Sequence, residues 1–178
     1  MLDEHPGQVE VIAESHDHLI EIVDKVIELA SRERRAHQRR AVWLSTLARE
    51  VWDALPTEDA TLSVESDARI VADTESLSLF LQILFDNALE HVGPGVHVTI
   101  GRTDDGFFVV DDGPGLDGRH ERVFDAGFTT EAGNTGFGLF VARSIAHEHN
   151  WHVSASESGD GGLRFTASGL AFDEDATR

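Results

Sequence analysis

The residues best suited to chemistry lie in Val109-Val110-Asp111-Asp112-Gly113-Pro114-Gly115-Leu116. The apolar run 107–110 is strand-like and ends on a carboxylate. A carboxylate held at a strand end presents an acceptor-only group to the space beyond. That suits a ligand offering donors, such as the exocyclic amine of a purine. Gly113 and Gly115 let the backbone turn sharply and let a ligand come close, and Pro114 stiffens the turn. Alone, Asp-Gly after a strand is usually only a turn. Two further stretches add weight. In Ile83-Leu84-Phe85-Asp86-Asn87-Ala88-Leu89-Glu90-His91, Asn87 and His91 share a helix face with Glu90 beside them. An Asn carbonyl oxygen is a good ligand for magnesium alongside phosphates and waters, although such a face can equally meet solvent. In Gly133-Asn134-Thr135-Gly136-Phe137-Gly138-Leu139 a glycine-rich loop opens a helix. Free N–H groups and the helix dipole there favour phosphate; the plain alternative is a flexible loop.

These residues need elements to hold them. Residues 1–8 read as flexible. Across 9–30 apolar residues recur at helical spacing, predicting a long amphipathic helix that packs on the globular body or in a bundle or dimer. Arginine-rich 31–40 reads as a linker or helix end, and 43–52 as a short helix stopped by Pro56. Strands are predicted over 61–65 and 69–72. Asp73-Thr74 caps a helix running to about His91, closed by Gly93-Pro94-Gly95. A hairpin pairs 96–101 with 106–110. Residues 116–135 show no period, and so long an irregular stretch is usually functional, such as a lid. A helix over about 138–149 precedes strands at about 152–157 and 163–168, joined by Gly159-Asp160-Gly161-Gly162. The acidic C-terminus reads as a disordered tail.

Composition narrows the class. The 178 residues suffice for one domain plus a short extra element. No cysteine is present, which excludes disulfides, zinc-thiolate sites and thiol nucleophiles. The ten histidines show no helical zinc-protease pattern and read as mostly surface residues. A net charge of -19 argues against nucleic-acid binding. Acids outnumber Lys and Arg by 33 to 14, and Lys25 is the sole lysine. Such a surface resembles proteins of salt-rich, halophilic cytoplasm and repels itself in dilute buffer. No apolar run is long enough to span a bilayer and no leader pattern opens the chain, so it reads as soluble.

Taken in order, the motifs resemble the ATP-binding catalytic domain of sensor histidine kinases, within the gyrase, heat-shock chaperone, histidine kinase and mismatch-repair ATPase superfamily. Asp86-Asn87-Ala88 matches the asparagine box and Asp111-Asp112-Gly113-Pro114-Gly115 the first glycine box. Val123-Phe124-Asp125-Ala126-Gly127-Phe128-Thr129-Thr130 matches the phenylalanine box. Gly136-Phe137-Gly138-Leu139 with Val141-Ala142-Arg143 matches the second glycine box. The resemblance implies an α+β fold: a two-layer α/β sandwich, the Bergerat ATP-binding fold, with a mixed, mostly antiparallel sheet and helices on one face. It implies a division into a helical segment 1–57 like a second dimerisation helix and linker, an ATP-binding domain 58–170, and a disordered tail 171–178.

It also implies roles. Asp111 accepts from the adenine amine, with Gly113 and Gly115 shaping the pocket and His91 beside the nucleotide. Asn87 holds magnesium on ATP and is a catalytic residue; Asp86 is a further catalytic candidate, as a general base in related enzymes. Thr135, Gly136, Phe137, Gly138 and Leu139 serve the phosphate end, and Phe124 and Phe128 anchor the lid. Glu90 stands where the family often has a lysine. Expected partners are a histidine-bearing dimerisation helix, a response regulator and a second copy through residues 9–30, with no nucleic acid. The expected place is the cytoplasm, alone or as the cytoplasmic part of a longer sensor. Ser15-His16-Asp17 superficially resembles an acceptor box, but Glu21 replaces its usual proline. The chain is therefore read as a fragment or short protein lacking the acceptor helix. The expected function is transfer of the γ-phosphoryl group of Mg-ATP to a partner histidine in two-component signalling. The competing readings are a nucleotide-binding regulatory module without phosphotransfer and a serine kinase or ATPase of the same superfamily. Asp111→Ala is expected to weaken ATP binding with little loss of fold.

Overall fold

Alternating segments become strands and helix-period segments become helices in the computed structural model, which describes residues 39–116, 118, 120–128, 136–159 and 161–173. In chain order these are β1 (Arg39–Trp43), α1 (Leu44–Asp53), β2 (Thr61–Val64), β3 (Arg69–Asp73) and α2 (Thr74–Val92). Then come β4 (His97–Arg102), β5 (Gly106–Asp111), a single 3-10 turn (His120–Arg122), α3 (Gly138–Glu148), β6 (His152–Glu157), β7 (Leu163–Ser168) and β8 (Ala171–Phe172). The helix expected over 9–30 and the acceptor-like His16 lie outside the described residues.

The main sheet has the order β2-β4-β5-β7-β6. Only β2 and β4 are parallel; the other pairs are antiparallel. A parallel pair needs a crossover, and the chain from β2 to β4 supplies it through α2. β5 is therefore the middle strand. Period-two alternation puts Phe107, Val109 and Asp111 on one face and Phe108 and Val110 on the other. Phe107 meets Phe80 of α2 edge-on at 6.1 Å, which identifies the helix-covered face. On the opposite face the Arg164 guanidinium lies 3.7 Å from the Phe108 ring centroid. Cover on both faces explains why β5 reads as an unbroken apolar run rather than an alternating one.

α2 is the main helix of the core. Its Leu77, Phe80, Leu81, Leu84, Phe85 and Ala88 are buried, each large side chain contributing roughly 1.5–3 kcal/mol. Asp73 caps it as expected, accepting from the Ser76 N–H at 2.9 Å. Gly93, at φ +88, ends it. The two-layer α/β sandwich expected from the resemblance is present.

Three expectations give way. Residues 39–43 are a strand, where 39–40 were expected to end a linker or helix and 43 to start the next helix: β1 pairs antiparallel with β3, Arg40 opposite Ala72 and Trp43 opposite Arg69. α1 starts at Leu44 because Asp67, far off in sequence, accepts from Ser45 N at 2.9 Å and Ser45 Oγ at 2.5 Å. α1 buries Leu44, Leu47, Ala48 and Trp52, and Trp52 meets Phe85 of α2 edge-on at 5.3 Å. Residues 39–55 thus pack within the unit that holds the main sheet. Next, the tail expected from 171 begins as a strand. β8 pairs with β3, the Asp173 N–H donates to Arg69 O at 2.8 Å, and their side chains form an ion pair at 3.1 Å. A polar tail gains an edge strand to lie on, which composition does not reveal. Finally, His149 is the exception among the described histidines to a mostly-surface reading; it is 5% exposed and stacks on Trp151 at 4.8 Å.

Candidate functional site

β5 ends under the helices, so its last residue, Asp111, is buried although charged. Its Oδ1 accepts from the N–H of Gly113 at 2.9 Å and of Leu163, on β7, at 3.1 Å. Both described donors fall on the same oxygen. Burial pushes the Asp111 carboxyl above its ordinary value of 3.8. The Leu163 and Gly113 N–H groups pull it back, the Asp112 charge adds to the rise, and His91 offsets it. Asp112 turns elsewhere and accepts from the His97 N–H at 2.9 Å.

Asp111 opens on a cavity of roughly 620 Å³, counting its open mouth. The enclosed part of it is about 120 Å³. Asn87, His91 and Val92 of α2 form one wall; Pro114, Gly115 and Leu116 form another. Val123, Phe128, Leu139 of α3 and Leu163 of β7 complete it. The lining is largely apolar, with a few polar groups converging from Asn87, His91 and Asp111. Such a site accepts a flat apolar body and reads one edge of it.

The glycines divide by what crowds them. A Cβ on Gly113 would overlap Val92, and one on Gly115, at φ +70, would lie 2.7 Å from Gly161 O. Gly136, at φ +66, has the Phe128 carbonyl against it, and its own carbonyl accepts from the Gly127 N–H at 3.1 Å. The phenylalanine-box and second-glycine-box segments are thus tied together. Gly138 differs: a Cβ there would meet only Ile83 Cγ2, at 3.6 Å.

Of the residues singled out in sequence, the structure brings Asn87, His91, Asp111, Gly115, Phe128 and Leu139 to one cavity. Gly113 packs behind Asp111, and Gly136, Phe137 and Gly138 lead into α3 without lining it. Asp86 is half-buried on α2 and Glu90 exposed, and neither lines the cavity. Phe124 is buried against Phe165 at 6.0 Å, while Phe128 faces the cavity with the Arg122 guanidinium 5.5 Å from its ring centroid. Thr135 lies outside the described residues. Sequence reasoning missed Leu163 and Gly162. A Cβ on Gly162 would overlap the Asp111 carbonyl oxygen. The only signal was a Gly-Gly pair longer than its hairpin needs.

A family model described as histidine kinase-, DNA gyrase B-, and HSP90-like ATPase matches residues 72–173. The sensor histidine kinase YkoH of Bacillus subtilis (strain 168) is 29% identical over 172 residues, 86% of this chain and 37% of that protein. The sensor histidine kinase ZraS of Escherichia coli O157:H7 is 28% identical over 170 residues, 88% of this chain and 36% of that protein. The chain thus spans little more than a third of these curated relatives. Full-length ShkA, solved in complex with AMPPNP, superposes with a TM-score of 0.70 at 24% identity, covering 97% of this chain and 40% of that one.

Proposed function

Because the chain belongs to the family of histidine kinase-, DNA gyrase B- and HSP90-like ATPases, as the ATP-binding catalytic domain of sensor histidine kinases, we propose that its cavity binds Mg-ATP and that it phosphorylates a histidine on a dimerisation helix in two-component signalling. One observation carries the nucleotide reading: a buried carboxylate at the end of the middle strand, with Oδ1 taken by two backbone N–H groups and the side chain lining a largely apolar cavity. An amine donor on a flat ring fits that acceptor, and Leu116, Val123, Leu139 and Leu163 fit the ring.

The residues also fit magnesium, but only as part of the nucleotide complex. Among the described residues no group of three His, Cys, Asp or Glu side chains could hold a metal. Asn87 supplies one neutral oxygen, so phosphate and water must supply the other ligands. Bound Mg-ATP would provide the transferable phosphoryl group and its charge neutralisation. The chain's own part is positioning: Asp111 sets the register of the base, α2 fixes Asn87 and His91, and residues 123–128 exclude water from one wall. Positioning and electrostatic stabilisation are what phosphoryl transfer demands of a protein.

Neither acid on α2 near Asn87 lines the cavity, so a general-base role for Asp86 has no geometric support. His16 lacks the proline usual five residues later in an acceptor box, where Glu21 stands. The 178-residue chain is therefore expected to bind Mg-ATP without labelling itself from γ-labelled ATP, and to label a separately supplied histidine-bearing hairpin. Binding without such transfer would favour the regulatory-module reading. Acid-labile self-labelling abolished by His16→Gln would show that the chain carries its own acceptor. Among the described residues no helix is long and apolar enough to cross a membrane. Pairing through 9–30 and docking of a response regulator complete the proposal.

A further inference from the structure

A second cavity lies beside the first, of roughly 810 Å³ counting its open mouth. Arg143 and His147 of α3, His152 of β6 and His120 of the 3-10 turn line it, over an apolar floor that includes Phe124 and Trp151. Among the described residues no acidic side chain lines it. In a chain with 33 acids against 14 Lys and Arg, a lining with Arg143, three histidines and no acid departs from the acidic character of the molecule. An acidic surface repels anions in general, so a recess lined by an arginine, imidazoles and a hydroxyl, with no carboxylate, becomes the selective place for one. Arginine offers a fork of N–H donors to oxyanions, and a protonated imidazole offers two.

We infer that this cavity binds a small organic oxyanion, its charged head held by Arg143 and the histidines and its apolar body on Phe124 and Trp151. The position of the site gives it a consequence. Residues 120–128 form a wall common to both cavities: His120 and Phe124 line this one, Val123 and Phe128 the other. The contact between His120 Nε2 and Glu157 Oε1, at 3.4 Å, lies on the same boundary. The Glu157 side chain also packs near Gly115 of the first cavity. An anion that orders this segment from behind prepares the nucleotide wall in front, so the two ligands assist each other, and by linkage equally. This coupling, unlike the anion binding itself, rests on the nucleotide reading above.

The test uses the full chain with phenyl phosphate as probe and inorganic phosphate for comparison, at matched ionic strength in potassium chloride. Imidazole NMR signals report binding without reference to ATP. Phenyl phosphate should shift the signals of His120, His147 and His152 and bind more tightly than inorganic phosphate. Arg143→Gln with His147→Gln, both at exposed positions, should abolish the effect without loss of fold. Saturating phenyl phosphate should then tighten ATP binding by roughly fivefold in the parent chain only. Absent shifts, or shifts that survive the double substitution, overturn the site. Equal affinity for the two probes overturns the apolar part of the assignment. Anion binding with unchanged ATP affinity overturns the coupling, and failure to bind ATP at all overturns the nucleotide reading while leaving the anion site standing.

Discussion

Asp111 carries a structural task through Oδ1, and the proposed function gives it a recognition task as well. Asp111→Ala was expected to spare the fold; the structure corrects this. The substitution strands the N–H groups of Gly113 and Leu163, and unsatisfied buried donors cost about 1–3 kcal/mol. Asp111→Asn is the cleaner probe. Its carbonyl oxygen can keep both bonds, while its NH2 replaces the acceptor at Oδ2 with a donor. ATP affinity should fall tenfold or more with the melting temperature maintained, as calorimetry and thermal unfolding would show; undiminished affinity would remove Asp111 from base recognition. The pH dependence has a definite sign. Burial raises the carboxyl in the folded state above 3.8, so folding favours the neutral acid. The stability this group contributes is full below 3.8 and is lost as pH rises through the folded-state value. Asn has no such slope. Urea unfolding at a series of pH values should therefore show the Asn variant gaining on the parent from pH ~4 upward.

Elements explain why neighbouring glycines should respond differently. Gly136 holds a left-handed backbone against the Phe128 carbonyl, whereas Gly138, at the start of α3, has room for a methyl group. Gly136→Ala should destabilise the protein by about 1–3 kcal/mol through strain and overlap. Gly138→Ala should leave the melting temperature intact and weaken ATP binding, because its open side is where phosphates would meet the helix start. Equal loss of stability in both would contradict this division. The same reasoning applies in the β6–β7 turn. Gly162→Ala would force a Cβ into the Asp111 carbonyl, while Gly159 has open space around it. Thermal unfolding should separate the two, with Gly162→Ala much the less stable.

For the whole molecule, charge sets the conditions. At -19 the chain repels itself in dilute buffer, and near 1 M salt the Debye length shrinks to ~3 Å. The melting temperature should rise clearly from low to molar potassium chloride. A flat or falling curve would remove the salt-adapted reading and leave the nucleotide site untouched. A truncation after Leu170 tests the C-terminus. It deletes β8 together with the Arg69–Asp173 pair, and the melting temperature should drop if β8 closes the small sheet as the register indicates.

The amino-acid order alone determined what is local or periodic: α2 from its apolar stripe and Asp73 cap, the β4–β5 hairpin from its turn, α3 after its glycines, and the carboxylate after an apolar strand. It also brought Asn87 and His91 to one helix face, since that follows from helical pitch alone. What it left undetermined depends on partners distant in the chain. β1 and β8 are strands because both edges of β3 are open to them, a fact no window of sequence contains. α1 starts where Asp67 caps it. Leu163 and Gly162 belong to the site because β7 lies beside β5, which puts an N–H on the Asp111 carboxylate and leaves no room for a Cβ. The second cavity likewise needs α3, β6 and the 3-10 turn side by side. Hydrogen-bond pairing and packing across long sequence separations decided these features, and only the folded chain brings such residues together.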